Sequence, residues 1–85
     1  MERIEQAAIK HAGLIHTVPR PGRHHDVIRE MAKRGFGPDC MHNQGFVTDM
    51  GRFVGREDAL AIAQQANQLI RKAGPDNELF SEDLW

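Results

Sequence analysis

Residues Pro19 to His25, read as Pro-Arg-Pro-Gly-Arg-His-His, put two guanidiniums and two imidazoles on a short stiff segment that leads into an amphipathic run. A helix starting there points free backbone N–H groups and a partial positive charge at whatever the segment holds. Arginine adds planar forks that match the oxygens of phosphate and carboxylate. The chemistry implied is capture of a small anionic ligand. Arg52 and Arg56 repeat the theme around a second hairpin and helix start, where Arg56 offers a second phosphate contact. Phe46 and Trp85 supply aromatic faces, and stacking beside arginine is the usual physics of holding a base. The candidate ligand-binding set is therefore Arg20, Arg23, His24, His25, Phe46, Arg52, Arg56 and Trp85. Each has a plainer reading: solvated arginines, a surface pair of Arg56 with Glu57 or Asp58, a histidine that caps or packs on the helix, and a core role for Phe46.

Other chemistries are less well supplied. Cys40-Met41-His42 together with His24 and His25 contains metal ligands, but Cys-x-His is poor tetrahedral spacing and no second cysteine exists. Cys40 with His42 lacks the orienting group that an activated nucleophile needs. Glu82 and Asp83 are adjacent, so in an extended tail they point to opposite sides rather than forming an acid–base pair. The expectation is no metal, no cofactor and no catalysis. The enzymatic alternative is a small hydrolase with His24 or His25 as base.

The elements that must position these residues follow from periodicity. Arg3 to Lys10 and Gly13 to Val18 read as a first hairpin around His11-Ala12-Gly13, favoured by Gly13 and the β-branched residues over a helical reading of Ile4 to His11 in which Ile4, Ala7 and Ala8 share a face; Gly45 to Thr48 with Arg52 to Val54 read as a second around Asp49-Met50-Gly51. A first helix is predicted over about 23–34, with Val27, Ile28 and Met31 inward and Gly35 beyond its end. A second is predicted over 56–73, with the stripe Ala59, Ile62, Ala63, Ala66, Leu69, Ile70 and Ala73 stopped by Gly74-Pro75. The fold class is α+β: a small antiparallel sheet packed against two helices, one domain over 1–85.

Size and charge narrow the partners. Eighty-five residues form a marginal core, and one cysteine allows no internal disulfide. The net charge is −1 and the pI about 6.5, which argues against a general binder of nucleic-acid polymers. The charges are nonetheless uneven. Residues 1–56 hold nine Lys and Arg against six Asp and Glu, while residues 57–85 hold two against six. No apolar run is long enough for a membrane span or signal peptide. The tail Asn77 to Trp85 carries Leu79, Phe80, Leu84 and Trp85, which are costly to leave in water, so it docks on its own domain or on a neighbouring subunit. The alanine stripe and this tail point to a homo-oligomer.

Three blocks also look familiar: Gln44 to Ala59, Arg23 to Ile28, and the ending Leu79-Phe80-Ser81-Glu82-Asp83-Leu84-Trp85. Spread from Arg23 to Trp85, they resemble a family of small phage-encoded proteins, similar to the Thoeris anti-defence sponges. The resemblance implies a non-enzymatic protein of the host cytoplasm that traps a nucleotide immune signal of the cyclic ADP-ribose type or a cyclic oligonucleotide. It also implies an oligomer, a dimer or trimer of dimers, with pockets between subunits. Two departures are Gly55 before the helix-starting arginine, where the family tends to Asp or Asn, and Ala66-Asn67-Gln68 where it reads Ala-Gly-Gln. Glycine caps only slightly less well.

On this reading Arg20, Arg23, Arg52 and Arg56 hold phosphates, His24 or His25 adds hydrogen bonds, and Phe46 or Trp85 stacks on a base. The rival is an interaction module that inhibits a host enzyme through the acidic, aromatic tail. Replacing Arg23 or Arg56 with alanine should leave the fold intact. Deleting Leu79 to Trp85 should cost assembly or binding while helix content stays.

Overall fold

Ala12 and Gly13 both take positive φ, 51° and 78°, the combination that a two-residue type I′ hairpin demands. They join strand β1, Ile4–His11, to strand β2, Leu14–Thr17. In the computed structural model, which describes residues 1–85, β3 (Gln44–Thr48) pairs with the other side of β1, and β4 (Phe53–Gly55) pairs with β3. The result is a four-stranded antiparallel sheet in the order β2-β1-β3-β4, with two helices, in one α+β domain. A register shift between Ile4 and Gln6 leaves Glu5 bulged out of the β1–β3 ladder.

Helix α1, His24–Lys33, buries His24, Val27 and Met31. Asp26 in its first turn accepts the Arg23 backbone N–H at 2.8 Å. The helix closes through Gly35 at φ 93°, whose N–H reaches the Ala32 carbonyl while the Phe36 N–H reaches Met31. This is a complete Schellman arrangement, which favours glycine at the left-handed position. A 3-10 turn, Pro38–Met41, then buries Cys40 and leads into β3.

Helix α2 spans Arg56–Gln65, about two turns shorter than the stripe suggested. Asn67 takes φ 58°, its N–H bonds the Gln64 carbonyl, and the Gln68 N–H bonds Ala63. The same Schellman geometry that ends α1 on glycine therefore ends α2 on asparagine, a residue that tolerates this conformation. Gln68 then bonds Ile4 in both directions: its Oε1 accepts the Ile4 N–H at 2.8 Å, and its Nε2 donates to the Ile4 carbonyl at 2.9 Å. Leu69 still packs against the core, but Ile70 is 59% exposed and Ala73 is exposed, so the stripe loses its meaning past Ala66.

Residues 69–85 fold back without α-helix or strand, and a short 3-10 turn at Ser81–Asp83 takes the place of the extended tail expected around Glu82 and Asp83. The Leu79 N–H bonds the Arg56 carbonyl at 2.9 Å, and the Ile70 N–H bonds the Asp83 carbonyl at 2.8 Å. Leu79 and Leu84 belong to the same buried cluster as Ile4, Ile9, Met31 and Phe46. The tail thus docks on its own domain. It covers apolar surface of its own domain, and the alanines Ala59 and Ala63 are likewise fully buried inside the chain. With Leu79 and Leu84 in the core, deleting Leu79 to Trp85 removes part of that core and does not spare the fold.

Candidate functional site

Both helices begin at the same end of the sheet, where β3 starts and β4 ends. His24, in the first turn of α1, is buried, and its Nε2 lies 2.7 Å from the Gly45 carbonyl. A carbonyl only accepts, so Nε2 carries the proton. The ring stands edge-on to Phe46, with centroids 4.9 Å apart. Burial draws its pKa down to about 4; the bond to Gly45 opposes this, the charge of Arg56 adds to it, and Glu82 opposes it. Phe46 is fully buried. His24 and Phe46 are therefore a core pair. This corrects two of the expected ligand contacts: Phe46 has no open face to stack on, and His24 spends its protonated nitrogen inside the fold.

Next to this pair the structure gathers Arg20, Arg23 and Trp85, and His25 follows in the chain without a hydrogen bond or ion pair to any of them. The indole Nε1–H of Trp85 donates to the Gly22 carbonyl at 3.1 Å, and the Arg23 guanidinium donates to the main-chain oxygen of Trp85. The aromatic plate is thus pinned at two points to the segment that precedes α1. Arg20 lies over the indole, 5.6 Å from its centroid, and its ion-pair partner is Glu5 at 3.9 Å. Both side chains of that pair are about half exposed. His25 is exposed, 3.4 Å from the Asp26 carboxylate, which also meets Arg29 at 3.4 Å.

Arg56 and Arg52 are committed elsewhere. Arg56 donates to the Leu79 carbonyl at 2.7 Å and to the Gln44 side-chain oxygen, and its guanidinium stacks 4.3 Å from the Phe80 ring centroid. An open cleft of about 500 Å³ adjoins it, but its lining includes Glu57, Asp58 and Glu78. Three carboxylates around one engaged arginine repel phosphate, so the start of α2 is not the second phosphate contact that the sequence suggested. Arg56 is also a structural strut, so replacing it does not leave the fold untouched. Arg52 lies at the far end of the β3–β4 hairpin and forks onto Glu2, Nε to Oε2 at 2.9 Å and Nη2 to Oε1 at 2.8 Å. That pairing, with the Thr48 hydroxyl donating to Glu2 at 2.6 Å, lowers the Glu2 pKa to about 2. Arg52 is remote from the other candidates and already holds a carboxylate.

Sequence reasoning missed Asp83. Its carboxylate is fully buried and accepts the Ala73 N–H, the Phe80 N–H at 2.9 Å and the Lys72 ammonium at 3.0 Å. Burial alone raises its pKa; these donors together outweigh that and leave it lowered. Lys72 eleven residues before an acid carried no local signal. An apolar groove of about 270 Å³, walled by Ile28, Ala32, Phe36, Pro38 and Met41, forms where the 3-10 turn folds back along α1, a reversal that the sequence of this stretch does not signal.

No helix is long and apolar enough to cross a membrane. Residues 3–85 match the family described as phage T4 y16D protein, so the chain belongs to that family of phage proteins. No curated protein and no solved structure matches it.

Proposed function

We propose that this phage y16D-family chain is a non-catalytic binding protein that retains a small phosphate-bearing nucleotide signal in the cytoplasm of the infected host. The site is the surface made by Arg20, Arg23, His25 and Trp85. One observation carries this reading: a half-exposed guanidinium rests over an indole whose position is fixed by the Gly22 carbonyl. A base laid on the indole takes the place of Arg20, and the displaced guanidinium is then free to fork onto the ligand's phosphate. His25, exposed in the first turn of α1, is the further polar group nearest in sequence, and the N–H groups of that turn favour an anion. Cyclic ADP-ribose-type molecules and cyclic oligonucleotides both combine a base with phosphates and fit this chemistry. Retention without conversion is favoured because His24, one of the two candidate bases, is neutral and engaged with Gly45. Inhibition of a host enzyme through the tail is disfavoured, since Leu79, Asp83 and Leu84 are internal.

The test is to load the protein with each nucleotide class, wash it, denature it by heat and identify what is released. Intact nucleotide is expected. A chemically altered product would mean an enzyme, and no retention of either class would end this reading. Arg20→Ala should weaken binding about tenfold or more, since a charge-assisted phosphate contact contributes about 1.5–3 kcal/mol. Its fold should be unchanged, because Arg20 is half exposed. Arg52→Ala, remote from the site, should bind as the parent does. The sole tryptophan reports directly: ligand should change the fluorescence of Trp85 in the parent.

A further inference from the structure

Strand β2 is an outer strand of the sheet; it is short, at four residues, but it carries no charge, proline or bulge to keep that edge from pairing. Leu14-Ile15-His16-Thr17 contains no acidic residue, lysine or proline, and its ladder with β1 is regular from Ala8↔Thr17 to His11↔Leu14. Leu14 is 62% exposed and Ile15 is 42% exposed. Beyond the ladder, the main chain of 14–17 bonds nothing else in the molecule.

The turn geometry decides which groups face out. A two-residue I′ hairpin makes its flanking residues, His11 and Leu14, a hydrogen-bonded pair. Alternation then turns the N–H and C=O of Ile15 and Thr17 away from β1. A second strand can bond to Ile15 only through those groups, and in an antiparallel pair the residues opposite each other share a sheet face. Across a two-fold axis the register Ile15↔Ile15 satisfies both conditions: the two isoleucines exchange both main-chain bonds, and each Leu14 stands opposite the other copy's His16. His16 packs edge-on against Phe36, with centroids 5.0 Å apart. Phe36 is a wall of the apolar groove formed with Ile28, Ala32 and Met41. Cross-strand neighbours are about 5 Å apart, so this register carries the exposed Leu14 of one copy to the groove mouth of the other.

We infer that β2 is the interface between two copies of this chain: the β2 edges pair antiparallel about a two-fold axis centred on Ile15, forming one eight-stranded sheet, with each Leu14 covering the partner's Phe36 groove. Both the donor and the acceptor surface lie on every copy, as an isologous contact requires. A foreign strand would meet the same backbone but would need its own leucine in that register.

Light scattering from micromolar to submillimolar protein gives the assembly. The parent should weigh as a dimer or an even multiple of one. Leu14→Lys places an ammonium at an apolar groove and should give monomers with unchanged circular dichroism. Ile15→Cys brings two thiols opposite each other at a Cα separation of about 5.5 Å, inside the disulfide range of about 4.4–6.8 Å. It should oxidise to a covalent dimer, while the buried Cys40 takes no part. A monomer at every concentration, an odd-numbered oligomer, a dimer that survives Leu14→Lys, or an Ile15→Cys variant that stays unlinked would each overturn the assignment. Should Leu14→Lys misfold, the cross-link decides alone.

Discussion

Asp83→Ala is expected to leave a large fraction of the chain unfolded at neutral pH. The carboxylate has no exposed surface, and three donors converge on it from the Ala73 and Phe80 main chain and from Lys72. Alanine abandons all three. Two N–H groups lose their acceptor, and the Lys72 ammonium, about a quarter exposed, loses its counter-charge. Breaking a buried pair by removing one partner costs about 3–5 kcal/mol. A chain of this length has a total stability of roughly 4–13 kcal/mol at about 0.05–0.15 kcal/mol per residue. One side chain thus holds a large share. The loss should spread beyond its own loop, because Asp83 also fixes the segment whose Leu79 and Leu84 sit in the core cluster. Urea unfolding followed by helix signal measures it. A loss under about 1 kcal/mol would mean that water takes over the three donors and that the tail is held by its leucines alone.

The same convergence explains how much of the molecule was legible in its sequence. The second hairpin and α1 are readable to within a residue or two, because Gly35 and the β-branched residues act locally; Ile4 to His11 also fits a helical period, and Gly13 with its β-branched neighbours tips it to the strand that the structure shows. The end of α2 was not. Leu69, Ile70 and Ala73 continue the helical period, while the stop comes from Asn67, a residue that also occurs inside helices. With α2 ended early, about twenty residues became irregular chain, and irregular chain carries carbonyls that no neighbour satisfies. Arginine and lysine supply the donors. Arg23 serves Trp85, Arg56 serves Leu79, Arg71 serves Glu82 and Lys72 serves Glu78. A guanidinium aimed at a main-chain oxygen and one awaiting a phosphate look alike in sequence, since the same fork suits both. That is why the basic set overstated the ligand site. What separates Arg20 from the rest is that its one ion-pair contact is loose, at 3.9 Å, while its guanidinium lies over the Trp85 indole; Arg52 is as exposed but is held by Glu2 through two bonds.

Lowering the pH should destabilise the protein well before its paired carboxylates protonate, and His24 should be the cause. Unfolded, the imidazole takes up a proton as the pH falls below about 6.5. Folded, it resists until about 4, because burial beside Phe46 and the nearby charge of Arg56 penalise the cation. Between those values the unfolded chain binds more protons than the native one, so stability falls as the pH falls. The loss starts near 6.5 and is complete once the native form also protonates, near 4. The interval of roughly 2.5 pH units corresponds to about 3 kcal/mol at about 1.4 kcal/mol per unit. Glu2, Asp26 and Asp83 are held below the usual carboxylate values, so what they contribute is present above those values and is lost only at lower pH. The two sources are therefore separated along the pH axis. His24→Gln keeps a donor for the Gly45 carbonyl and cannot be protonated. It should be less stable than the parent near neutrality, having lost the ring packed on Phe46, yet nearly flat from about pH 6.5 to 5, where the parent slopes. Urea midpoints taken across that range compare the two directly. Parallel curves would show that the acid sensitivity lies elsewhere and that His24 accepts its proton in place.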